Sequence, residues 1–180
     1  MSNQHEFLAL SNEICTWIQG KPKWAVRSSD AIGRKALLLL KEGARSFHEN
    51  ISEELRSQFY PSYSTGKSNL PSSLWIALIP RHRQVHNSMM VAICYGCAGE
   101  GAVVGVMDSV TMPQLWLPLE KRDPTAIEVN LNGPQSKFKF NNKFHNPVEF
   151  IAPLKNPKGL FEHANHSLEI LNAELKRRYG

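Results

Sequence analysis

The residues with the clearest chemical potential are Gly66-Lys67-Ser68-Asn69, followed closely by Trp75-Ile76-Ala77-Leu78-Ile79. A glycine-lysine loop, an amide and an indole within ten positions can grip a nucleic acid. The same Gly-Lys-Ser also resembles the end of a phosphate-binding P-loop. That loop requires a glycine five positions earlier, because its backbone amides wrap the phosphates. Pro61 stands there, with no amide hydrogen and a fixed φ. The P-loop must also follow a buried strand and open a helix. The segment Tyr60-Pro61-Ser62-Tyr63 does not read as a buried strand, and Pro71 suits a loop. A nucleotide-hydrolysing site is excluded.

Other residue sets fall short of catalysis. His82 and His86, with Cys94-Tyr95-Gly96-Cys97 downstream, supply the donors for a tetrahedral zinc ion. The pleat of a strand ending near Cys94 does not naturally converge both sulfurs, and the spacing matches no common finger. Asp123 and Glu128 are the nearest approach to the paired carboxylates of a metal-dependent nuclease, but Asn130 occupies the place of the expected lysine. A chance pair of surface acids is the simpler reading. His163 and His166 lack the Glu-x-x-His partner of a zincin, and no serine has a nucleophile-elbow context. No catalytic residue, metal or cofactor is expected.

Binding is better supplied. The chain carries 21 Lys+Arg against 16 Asp+Glu, a net charge of +5. Residues 121–180 hold ten basic and six acidic side chains, while residues 61–120 hold three of each. Lys137-Phe138-Lys139-Phe140 would place both lysines on one face of a strand. With Lys143, that face can follow a phosphate backbone, or it is simply a solvated lysine face. A base extruded from a duplex needs flat walls and groups for its Watson–Crick edge. Trp75, Tyr95, Asn69 and Asp108 are of suitable types, although Trp75 serves equally well as a core residue.

The run Gly66-Lys67-Ser68-Asn69-Leu70-Pro71-Ser72-Ser73-Leu74-Trp75-Ile76-Ala77-Leu78 resembles the N-terminal DNA-recognition domain of McrB-type, modification-dependent (type IV) restriction systems. That pattern is a Gly-rich loop with Asn, a spacer, then Pro-Trp-aliphatic-Ala-hydrophobic. The likeness continues through Asn87, residues 89–95 and Val104-Gly105-Val106-Met107-Asp108-Ser109. It covers residues 66–109. The resemblance implies a non-catalytic reader of double-stranded DNA carrying 5-methylcytosine or a related base, flipped into an aromatic pocket; the alternative is recognition of unmodified specific DNA, or of RNA, by the same scaffold. By position, Trp75 would be a pocket wall, Met90 and Cys94 would line the pocket, and Lys67 would stand at the tip of the inserting loop. The departures are specific. Some members place an aromatic where Lys67 stands, Ser68 replaces a second glycine and stiffens the loop, and Met90 replaces an aromatic wall with a more adaptable one. The GTP-hydrolysing motor of such systems is absent from this sequence, so cleavage and GTP hydrolysis are expected from other domains or subunits.

The elements that must position these residues follow from pattern. At 180 residues with 42% hydrophobic and 21% charged content, the chain fits one globular domain. No apolar run approaches the roughly 20 residues of a membrane span, and the opening residues do not read as a secretory signal. Three cysteines, Cys15, Cys94 and Cys97, suit a reducing compartment better than a disulfide framework. A prokaryotic cytoplasm is the expected location. Phe7, Leu10, Ile14, Trp17 and Ile18 predict a helix over residues 3–19 that stops at Gly20. A second helix follows Asp30, and a third spans residues 52–59, closed by Pro61. Residues 74–79, 89–95 and 102–107 read as strands, the last two joined as a hairpin. Residues 127–131 and 137–140 read as strands about the turn Asn132-Gly133-Pro134, and a helix spans 163–179. The expectation is a single α+β domain, 1–180: a helical lead-in to residue 60, a mainly antiparallel sheet over 61–150, and a closing helix over 160–179.

Overall fold

The computed structural model describes residues 3–81, 89–108, 119–133 and 140–180. Helix α1, Gln4–Gly20, begins where the Asn3 side chain accepts a hydrogen bond from the Glu6 amide, satisfying one of the helix's orphan donors. Helix α2 is Ala31–Asn50 and a single turn, α3, is Glu53–Arg56. The strands are β1 Phe59–Tyr63, β2 Trp75–Pro80, β3 Met90–Tyr95, β4 Gly101–Met107 and β5 Phe144–Ile151. They form one sheet in the order β1-β2-β3-β4-β5, every neighbouring pair antiparallel. Helix α4, Pro157–Tyr179, closes the fold, capped by Asn156 with proline in its first turn. The domain is α+β, with an antiparallel sheet flanked by N-terminal helices and a C-terminal helix.

The sheet is buried on both sides, which explains why β3 and β4 lack an inside-outside alternation. One face, with Ile76, Leu78, Val91, Ile93, Tyr95 and Val104, packs against the helices. Phe7, Phe47 and Phe161 meet there, with ring centroids 5.3–5.8 Å apart. The other face, with Ala77, Ile79, Met90, Cys94, Val103, Met107 and Phe144, is covered by Val129, Leu131 and Phe140.

Several elements differ from the sequence reading. The third helix stops at Arg56, and Phe59–Tyr63 is a strand after all. Pro61 is tolerated because β1 is an edge strand. Residues 127–131 are not a strand: their amides bond to side chains instead of to a neighbouring ladder. Glu149 takes the Glu128 and Val129 amides, and Asn141 takes that of Leu131. Residues 137–139 lie outside the described residues, and Phe140–Asn142 is a 3-10 turn. Besides β1, β5 is an unforeseen strand. Its pattern is masked by Asn146, at φ +47°, by Pro147, and by a register shift opposite Val104 to Val106.

Candidate nucleic-acid interface

The 66–69 loop joins β1 to β2. Its base is closed by a reciprocal pair: the Ser64 amide donates to the Trp75 carbonyl, and the Trp75 amide donates to Ser64 Oγ, both at 3.0 Å. Gly66 sits at φ +64°, and a Cβ there would lie 2.0 Å from the Asn69 carbonyl oxygen. Only glycine makes this turn without strain. The far side of the loop is tied to the connector between α1 and α2. The Ser28 amide and hydroxyl both donate to the Ser68 carbonyl, at 3.1 and 3.2 Å, and the Leu70 amide donates to Val26 at 2.9 Å. Arg27 and Asn69 form the isolated bridge between them. Gly66, Lys67, Ser68, Asn69 and Arg27 are all exposed. The loop is therefore a fixed, solvent-facing ledge that carries Lys67, with Arg27 on the connector bridged to Asn69.

Trp75 begins β2 at the same end of the sheet, half-buried on the face away from the helices. Cys94 is its partner across the strands. Met90 shares that face but lies four residues along β3, about 13 Å away by strand rise. Both are essentially sealed, at 1% and 0% exposure, and Cys94 Sγ lies 3.8 Å from Met107 Sδ. Cys94 therefore lies beside Trp75 under that face, whereas Met90, at the other end of β3, does not join them, a correction to its expected place in the pocket. Tyr95 is a correction: adjacent strand residues point to opposite faces, so Tyr95 packs among the helices. Its hydroxyl is 2.9 Å from Ser11 Oγ, and it cannot share a pocket with Trp75. Asp108 is also displaced from Trp75. It follows β4 at the far end of the sheet, buried, with Oδ2 2.9 Å from His145 Nε2.

The expected lysine face does not join the loop either. Lys137 and Lys139 lie outside the described residues. Lys143 is half-buried and precedes Phe144, which pairs with Met107 at the end of the sheet opposite the 66–69 ledge.

The competing chemistries are not assembled among the described residues. His82 and His86 lie outside them, and no group of three or more metal-ligating side chains is gathered elsewhere. Burial pushes the Cys94 thiol well above its ordinary range and the Cys97 thiol up to about 11, so both hold their protons at neutral pH. Asp123 caps its own turn, accepting from the Thr125 amide and hydroxyl at 2.8 and 2.7 Å. These bonds lower its pKa. Asn130 Oδ1 is taken by Asn141 Nδ2 at 2.9 Å. These groups are engaged in shaping the 120–133 segment. His163 is half-buried and His166 exposed on α4; burial lowers the His163 pKa.

Two features escaped the sequence reading. Arg122, buried, pairs with Glu149 and donates to the Val129 carbonyl and Asn141 Oδ1. This network holds residues 128–133 over the second sheet face. At the end of this segment Gly133 packs closely on Ser72, where an added Cβ would lie 2.7 Å from Ser72 Cβ. No local pattern marks Arg122, because its partners are 7 to 27 residues distant. The other is the α1–α2 connector with Lys21, Lys23, Trp24 and Arg27, which the sequence reading passed over between the first two helices.

Comparison with protein-family models, curated proteins and solved structures finds no match.

Proposed function

We propose that this domain is a non-catalytic reader of double-stranded DNA, specific for a modified cytosine of the 5-methylcytosine type. It would act as the targeting element of a prokaryotic restriction or defence system. The observation that carries the reading is the 66–69 ledge, exposed and pinned by backbone hydrogen bonds, with Lys67 and Arg27 beside it and Trp75 at its base. A pre-ordered loop loses little entropy on binding, and two exposed cations suit phosphate contact. In this reading the modified base leaves the duplex and stacks on Trp75, while Lys67 enters the vacated space or holds a phosphate. Cys94, across the strands from Trp75, supports the wall from behind. Cleavage and GTP hydrolysis belong to a motor and a nuclease carried on other domains or subunits.

The test is a titration of a labelled duplex against the protein and against the Lys67→Glu, Arg27→Glu double variant. Both positions are exposed, so the fold should survive. The variant is expected to bind at least tenfold more weakly and with a shallower salt dependence. Unchanged duplex affinity and salt slope would remove the ledge from the interface.

A further inference from the structure

The connector between α1 and α2 carries a second feature that the duplex reading does not use. Trp24 is 73% exposed, the most exposed large hydrophobic side chain among the described residues. It lines a cleft of about 290 Å³ together with Trp17, Lys21, Lys23, Leu70 and Pro71. The Trp17 ring is fixed by its Nε1, which donates to the Ile32 carbonyl at 3.1 Å. A second cleft, of about 420 Å³, shares Trp17 and Lys21 and adds Lys35 and Glu13. Residues 20–35 hold five Lys/Arg and a single acid, Asp30.

The composition selects the ligand. A volume near 290 Å³ is at the lower end for small-molecule sites and suits one planar ring system. An indole gives that ring a stacking surface without regard to its hydrogen-bonding edge. Lys21 and Lys23 line the same cleft and bring charge for a phosphate, and Leu70 with Pro71 adds apolar lining. Leu70 belongs to the loop bonded to the connector, so this cleft opens beside the 66–69 ledge.

From this we infer that the Trp24 cleft binds a nucleotide of single-stranded DNA, its base stacked on Trp24 and its phosphates held by Lys21 and Lys23. The site would hold an unpaired strand running off the ledge. It goes beyond duplex reading, since single-stranded DNA alone should occupy it.

The experiment is fluorescence anisotropy with a labelled oligothymidylate, run in parallel with the duplex. Trp24→Ala should weaken oligothymidylate binding roughly 5- to 150-fold, the range for loss of one base–aromatic stack. Trp24→Phe should restore most of it. Because Trp24 is exposed, the thermal midpoints of these variants should match that of the parent. Absence of oligothymidylate binding by the parent protein, or equal affinity for Trp24→Ala, overturns the inference even if duplex binding is strong. Binding of oligothymidylate that depends on Trp24, with no duplex binding at all, would support the cleft and reject the duplex reading.

Discussion

Glu149→Ala should destabilise the domain well beyond an ordinary surface change. Glu149 is 19% exposed as a side chain and its partner Arg122 only 4%. Removing the carboxylate leaves a buried guanidinium without its counter-charge and takes away the acceptor of the Glu128 and Val129 amides. Breaking a buried ion pair from one side costs about 3–5 kcal/mol. The partial exposure of Glu149 places the expected loss near the lower end, about 3 kcal/mol. For a chain of this size that lowers the thermal midpoint by roughly 6–12 °C. The assay is thermal unfolding followed by circular dichroism at neutral pH. Adding Arg122→Met should recover part of the loss, since the stranded charge is then gone. A fall of less than about 2 °C for Glu149→Ala would refute the reasoning. So would a double variant no better than the sum of the singles.

Other consequences follow from the same structure. Tyr95→Phe should cost about 1–3 kcal/mol by stranding buried Ser11, yet leave duplex affinity unchanged; a specific loss of DNA binding with the fold intact would return Tyr95 to the interface. Burial raises the Cys15 thiol to about 12 and the Cys97 thiol to about 11. Because the unfolded chain releases these protons near pH 9 and the folded chain does not, their contribution is intact below that pH. The thermal midpoint should decline as pH rises from about 9 towards the folded values, and a flat profile would contradict the burial. For His163 the sign is opposite: burial lowers its folded pKa, so stability present above about pH 6.5 is lost as pH falls. His163→Gln should flatten that acid limb of a midpoint-against-pH series.

Legibility in the sequence tracked the range of the interactions. Helix α1 was readable because Phe7, Ile14 and Ile18 repeat at helical spacing and Gly20 ends the pattern. The β3–β4 hairpin was readable because apolar runs flank glycines, one of which, Gly99, has φ +72°. Strand β5 was not, because its bulge and Pro147 interrupt the alternation and its pairing is made at long range with β4. The irregular course of 127–131 depends on Glu149 and Asn141, more than ten residues away in most cases, so local propensity suggested a strand instead. Among the proposed contacts, the exposure of the 66–69 loop agreed with its polar, glycine-bearing composition. The grouping of Tyr95 with Trp75 failed on the pleat, which only the register opposite Cys94 makes explicit.

In the proposed function, the sheet end formed by Lys67, Arg27 and Trp75 reads a modified base in a duplex. The most direct test of this reading is a binding titration with two duplexes of identical sequence, one carrying 5-methylcytosine at a central position and one carrying cytosine. Tighter binding of the methylated duplex, by tenfold or more, is the expected result, with Trp75→Phe reducing the preference in a folded protein. Equal affinity for the two duplexes would contradict modification-specific reading.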